Sequence, residues 1–456
     1  MRFRDCLAFN LLLSALLFAP LSLSGWPVHA EEPANGDAGQ AEDEDEDGLT
    51  LKGTRRIEFE TREGTWLSLD VSPDGEQIVF ELLGDIYLLP IEGGDATPLT
   101  TGMAFDSQPR FAPDGERVVF VSDRDGTDNV WTVEIDGSDP ERLTSETGKF
   151  LFLSPEYAPD GSHVIVAKTS WGLRTHELWA YHVDGGKGIQ MTVAATSSDM
   201  PTNQRSNTLG AVYSPDGRYL YFARKYGGFA YNVQFPQWQV ARRDLKTGEE
   251  DYLTQAQGSA FRPRLSPDGR LLVYGTRYEH QTGLRLRNLD SGEDEWLVYP
   301  VERDEQESRH TRDLLPGYAF TPDGSAILYS VEGGILRLEI ESGEATDVPF
   351  RAEVDQLLGP QLYFPYRLGL SPVKARMLMG PQLSPDGRRL AFSSFFQIHV
   401  YDLVSGEIRS LTPDGPAAEG GRAFHPAWSP DGKELAYVSW SSSGGHLWRI
   451  RANGRG

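Results

Sequence analysis

The chain has 456 residues, 67 of them acidic against 43 basic, a formal charge of −24, frequent glycine and proline, and a single cysteine. So acidic a body repels phosphate backbones and anionic membrane surfaces, which argues against a nucleic-acid or membrane-surface partner. With its only thiol at Cys6, the remainder of the chain can form no disulfide, cysteine nucleophile or cysteine-ligated zinc site.

At the start, Arg2 and Arg4 precede a largely apolar run from Leu7 to Leu23, and Val28-His29-Ala30 then offers a small-x-small cleavage site. Residues 1–30 are therefore expected to be a Sec-type signal peptide, and the protein periplasmic or extracellular. The rival reading is an uncleaved anchor, against which the apolar run is short and interrupted by Asn10 and Pro20. Residues 31–50 are read as a solvated linker, because nine acids and no Lys or Arg cannot bury apolar surface. The leader contributes +1 and the linker −9, which leaves −16 for the body.

From residue 51 to 456 the phrase [Ser/Thr/Ala]-Pro-Asp-Gly marks eight repeats. Its turn residues are Asp74-Gly75, Asp114-Gly115, Asp160-Gly161, Asp216-Gly217, Asp268-Gly269, Asp323-Gly324, Asp386-Gly387 and Asp431-Gly432. Proline presets φ for the second turn position, aspartate suits the third, and glycine takes the left-handed conformation that follows. Three residues beyond each glycine stands an aliphatic residue, from Ile78 and Val118 through to Leu435. Five beyond stands an aromatic, Phe80, Phe120, Phe222, Tyr274, Tyr329, Phe392 or Tyr437, with Val166 the exception. A spacing of two places both on one face of a strand.

A third alternating strand follows, as in Leu178-Trp179-Ala180-Tyr181, then a short fourth ending in Leu99-Thr100, Leu143-Thr144, Met191-Thr192, Leu253-Thr254 or Leu411-Thr412. The aspartates are 40, 46, 56, 52, 55, 63 and 45 residues apart, the period of a four-stranded blade with variable loops. The fold class predicted is all-β, a propeller of eight blades with seven as the fallback. The last repeat lacks a fourth strand, and the alternating Arg55–Glu60 is expected to supply it and so close the ring.

The search for chemistry returns little. The histidines form no His-x-His or His-Glu-x-x-His, and neither a Gly-x-Ser-x-Gly elbow nor a phosphate-binding glycine loop occurs. No catalytic residue, metal ligand or cofactor is assigned. Asp123-Arg124-Asp125-Gly126-Thr127-Asp128 could offer calcium three carboxylates, but it lacks the full loop pattern and reads as a hairpin turn. The candidate binding loop is Tyr226, Phe229, Tyr231, Phe235 and Trp238, aromatic and unlike the repeat. Residues 351–380 form a second insertion, a covering loop or a docking surface.

These turns, with the Ile/Leu-x-Phe/Tyr that follows and the closing Leu-Thr, resemble TolB-like propeller repeats of bacterial periplasmic proteins over residues 55–451. Glu63-Gly64-Thr65-Trp66, Met103–Pro109 and Leu315–Gly324 look similar to the propeller that precedes a metal-dependent amidohydrolase domain in large secreted enzymes. The resemblance implies a non-catalytic module binding a protein or peptide. Its alternative is a substrate-gating propeller for an amidohydrolase, none of whose metal-ligand motifs is found here.

Overall fold

The computed structural model describes residues 52–454, apart from 149, 171–174, 198, 228–234, 308–311, 362–372, 413–420 and 443. The expected signal peptide and acidic linker lie outside the described residues. The described chain is almost wholly β, with one 3-10 turn at Thr202–Gln204. It contains no helix long and apolar enough to cross a membrane.

The chain divides into two compact units, Met1–Gln361 and Leu362–Gly456, where a single domain over residues 51–456 was expected. The first unit holds six sheets whose innermost strands are Leu69–Val71, Ser107–Phe111, Phe150–Tyr157, Ser206–Tyr213, Phe261–Leu265 and Ala319–Phe320. Each continues outward through three further antiparallel strands in chain order. The second unit holds a four-stranded sheet beginning at Met379–Leu383 and a three-stranded one, Arg422–Trp428, Glu434–Ser441 and Gly444–Arg451.

Local chemistry explains why every sheet folds alike. In the first turn Ser72 Oγ donates to Asp74 Oδ1 (2.5 Å) and accepts from the Gln77 amide (2.9 Å). The same Oγ–carboxylate bond recurs at Ser214, Ser266, Thr321, Ser384 and Ser429. Gly75 sits at φ 77°, where a side chain is strained, and a Cβ there would also press on Pro322 at 3.3 Å. The recurring Leu-Thr also has a job. The threonine Oγ1 accepts a backbone amide in the first half of the third strand: Thr100 from Ile86, Thr144 from Val130, Thr192 from Leu178, Thr254 from Val240 and Thr412 from Ile398, all at 2.8–2.9 Å. Between sheets lie the aliphatic and aromatic positions read from the repeat; Ile78, Phe80, Val118, Phe120, Leu220, Phe222 and Leu272 are fully buried.

Closure differs from the expectation. Arg55–Thr61 does not complete the last sheet; it pairs antiparallel with Phe350–Leu358, Phe59 opposite Val354. That partner runs parallel to Gly94–Pro98, so the pair extends the first sheet to six strands. The physical reason is amphipathic matching: Phe350, Ala352 and Val354 turn into the core, while Arg56 pairs with Asp355. The first part of the 351–380 insertion is therefore a strand and not a loop.

The sixth sheet packs back against the first. The Leu69 amide donates to Gly317 O (3.1 Å), the Gly64 amide to Gly333 O (2.9 Å), and Leu67, Phe80 and Tyr87 share a core cluster with Leu328, Ile335 and Phe350. The last two repeats make up the second unit.

Candidate functional site

The axis of the first unit is lined by its six innermost strands, and a repeated irregularity decides what projects there. The pairing slips between Ser107 and Arg110, Leu153 and Glu156, Leu209 and Val212, and Phe261 and Arg264. At each slip one residue has left-handed backbone: Gln108 at φ 57°, Ser154 at 53°, Gly210 at 60° and Arg262 at 54°. Such bulges re-aim side chains.

Here they build a plug. Gln108 Oε1 accepts the Ser154 amide (2.8 Å), and Arg262 Nη1 donates to Ser154 Oγ (2.7 Å) and to the Asp313 carboxylate. Glycine at 210 leaves room, since a Cβ there would stand 3.2 Å from Asp313 Oδ2. A second set joins four sheets: Arg110 meets Asp70 (3.2 Å) and Glu156 (3.4 Å), and Arg264 meets the same two at 3.0 and 2.6 Å. Two positive and two negative charges alternate and cancel. Burial and the nearby Arg264 charge bring Arg110 down to about 10, still cationic at neutral pH. Every carboxylate in this network is held by an arginine. No group of three or more His, Cys, Asp or Glu able to hold a metal occurs among the described residues.

Above the plug, Glu81 accepts the Gln108 amide at 2.6 Å and is buried. Burial raises its carboxyl from 4.5 to about 7. Between those values the folded chain holds a proton the unfolded chain has released, so stability falls as pH rises from about 4.5 to about 7. Glu81→Gln is expected to flatten that fall, which is on the order of 3 kcal/mol for such a shift. Urea unfolding at acid and neutral pH checks it; an unchanged slope in the variant refutes the assignment.

The strand order puts the turns between second and third strands, and the connections between sheets, at the end opposite the Pro-Asp-Gly turns. That rim exposes Leu83, Phe105, Val193, Tyr226, Phe235 and Tyr278. Of the aromatic loop predicted to bind, Tyr226 is exposed and Phe235 is 85% exposed. Phe229 and Tyr231 lie outside the described residues. Trp238, only 2% exposed, belongs to the core with Phe222 and Phe261, which corrects its place among the binding candidates. Lys225 Nζ donates to Pro236 O (2.7 Å) and ties the two ends of the loop together.

The acidic 123–128 segment is a hairpin connection, between strands paired from Arg117↔Glu134 to Ser122↔Asn129. Asp125 is paired with Arg142, and Asp123 accepts the Phe105 amide.

The sequence reading missed a second aromatic group, Tyr278, Trp296 and Tyr299, on the fifth sheet. Tyr274-x-Thr276-x-Tyr278 carries the period-two signal, but Trp296 joins it only through the pairing of Arg285 with Trp296.

The family model for the tricorn protease N-terminal beta propeller domain matches residues 69–233. Over an alignment of 453 residues the chain is 26% identical to Tricorn protease homolog 1 of Streptomyces coelicolor, covering 82% of this chain and 40% of that protein. It is 30% identical over 141 residues to the Tol-Pal system protein TolB of Anaeromyxobacter dehalogenans, 30% of this chain and 29% of the relative. The crystal structure of the tricorn protease superposes with a TM-score of 0.47 at 14% identity, over 86% of this chain and 35% of that one. The chain thus spans less than half the length of these curated relatives. These matches support the resemblance to TolB-like β-propellers.

Proposed function

We propose that this TolB-like β-propeller is a non-catalytic, exported module that binds a protein or peptide on the rim opposite its Pro-Asp-Gly turns. The observation that carries this reading is the contrast between a channel filled by mutually paired side chains and a rim bearing exposed aromatics. Large apolar groups left in water on one face are the usual mark of a docking surface. The acidic body directs the choice toward partners other than nucleic acid, and the apolar leader supports the periplasm or cell exterior as its location.

Selection of a displayed peptide library on the immobilised full chain tests the reading. Enriched peptides are expected to bind with Phe235-dependent affinity, Phe235→Ser weakening them about tenfold, or roughly 1.4 kcal/mol. Failure to enrich any peptide, or zinc-dependent turnover of a dipeptide and amide panel, refutes it.

A second reading is favoured by the length of the relatives. The alignment covers most of this chain but only 40% of a protein named a protease homolog, so the propeller would handle substrate for a hydrolase, with an amidohydrolase the expected kind.

A further inference from the structure

We propose that the flank of the fifth sheet, beside the rim, carries a binding site for a neutral saccharide chain that does not use Phe235. Alternate residues of a strand share a face, and on one face of this sheet stand Tyr274, Thr276 and Tyr278, then Arg285 and Arg287, then Asp294 and Trp296. Residues 254–258, which lead into the sheet, and Gln306, which follows it, complete a cleft of about 850 Å³. That volume suits a small-molecule site.

Three properties of the cleft select its ligand. The first is an aromatic cluster open to solvent, its rings tilted so that each presents its own face. Tyr278 is 56% and Trp296 41% exposed, and their ring centroids lie 6.0 Å apart, with Tyr299 5.3 Å from Trp296. The Arg285 guanidinium stands 5.0 Å from the Trp296 ring and braces it.

The second is that the charges in the cleft, the exposed Glu279 at its edge apart, are already paired. Asp294 receives Arg285 (2.5 Å), Arg287 (3.3 Å) and the Tyr274 hydroxyl (2.7 Å), and Arg277 is held by Asp304 (2.9 Å) and Glu307 (3.1 Å). An ionic ligand would have to break these pairs, whereas a neutral one finds rigid, oriented donors and acceptors.

The third is Gln306. It is only 5% exposed and lines the cleft, yet its Oε1 accepts no hydrogen bond among the described residues. A buried acceptor left unmade costs about 1–3 kcal/mol, which a ligand O–H or N–H would recover. A pyranose satisfies all three conditions, since its C–H face stacks on aromatic rings while its edge carries hydroxyl donors. An uninterrupted polyproline stretch would stack equally well but brings no amide donor for Gln306.

The test is titration of the full chain, followed by tryptophan fluorescence and calorimetry. The probes are cellohexaose and chitohexaose as neutral arms, hexagalacturonate as the charged arm and hexaproline as the peptide arm. At least one neutral arm is expected to bind while the charged and peptide arms do not. Trp296→Ala and Tyr278→Ala should each weaken that binding about tenfold or more. Gln306→Leu should weaken it while leaving the unfolding midpoint unchanged or raised, a combination a merely structural glutamine would not produce. Phe235→Ser should leave saccharide binding intact, which separates this site from the one that uses Phe235. No response to either neutral arm, binding indifferent to both aromatic substitutions, or preference for hexaproline or hexagalacturonate would overturn the proposal.

Discussion

Replacing Asp313 with alanine is expected to destabilise the first unit by about 3–5 kcal/mol, read as a fall in the urea unfolding midpoint. Asp313 and Arg262 are both buried, and the carboxylate also accepts the Ser154 hydroxyl and the Leu314 amide (2.5 Å). Removing it strands a buried guanidinium with Ser154 Oγ as its remaining side-chain acceptor among the described residues. The comparison that isolates burial as the cause is Asp290→Ala, which breaks the exposed Arg270–Asp290 pair. That change should stay within about 0.5 kcal/mol, because exposed pairs are screened. Replacing Arg262 and Asp313 together by leucine should recover much of the loss, since an apolar pair leaves no uncompensated charge. If Asp313→Ala proved as mild as Asp290→Ala, the plug would not be a stability element.

A second large effect separates two aromatic residues only three positions apart. Trp238→Ala should cost about 3–5 kcal/mol, the range for deleting a large buried aromatic. Phe235→Ser should change stability by no more than about 0.5 kcal/mol, because its ring is in water. Thermal and urea unfolding of the two variants decide the matter. Equal losses would mean that the loop folds onto the core as one piece. Any loss of partner binding in Trp238→Ala would then reflect unfolding, whereas in Phe235→Ser it would report the rim itself.

The two residues also show how far the sequence could be read. An aromatic-rich segment that departs from a repeat is visible in the sequence, but which of its rings faces water is not. Trp238 and Phe235 differ in fate because Trp238 directly precedes Gln239–Asp244, the third strand of the fourth sheet, while Phe235 lies within the connection that leads to it. The cleft on the fifth sheet was illegible for another reason. Tyr278, Trp296 and Gln306 come from a second strand, a fourth strand and a connection, and no local pattern announces that these meet.

Closure is the third case. Arg55–Glu60 alternates as an edge strand should, and the last repeat lacks a strand, so pairing the two was the economical expectation. The chain pairs Arg55–Thr61 with Phe350–Leu358 instead. Alternation specifies that a strand will pair on one face, but it does not specify the partner when several exposed edges compete.

By itself, the sequence determined what is written within a single hairpin: the Pro-Asp-Gly turns, the two-residue rhythm of the strands, the layer of aliphatic and aromatic side chains, and from these an all-β propeller. Each depends on contacts between residues a few positions apart, where backbone sterics and side-chain hydrogen bonds act without help from the rest of the chain. Only the tertiary structure decided the division into two units, the strand that extends the first sheet, the bulges that send Arg262 across the axis, and the joining of Trp296 to Tyr278. Those depend on pairings up to three hundred residues apart, chosen by which surfaces can be buried together, and that is a property of the assembled sheets and not of any one segment.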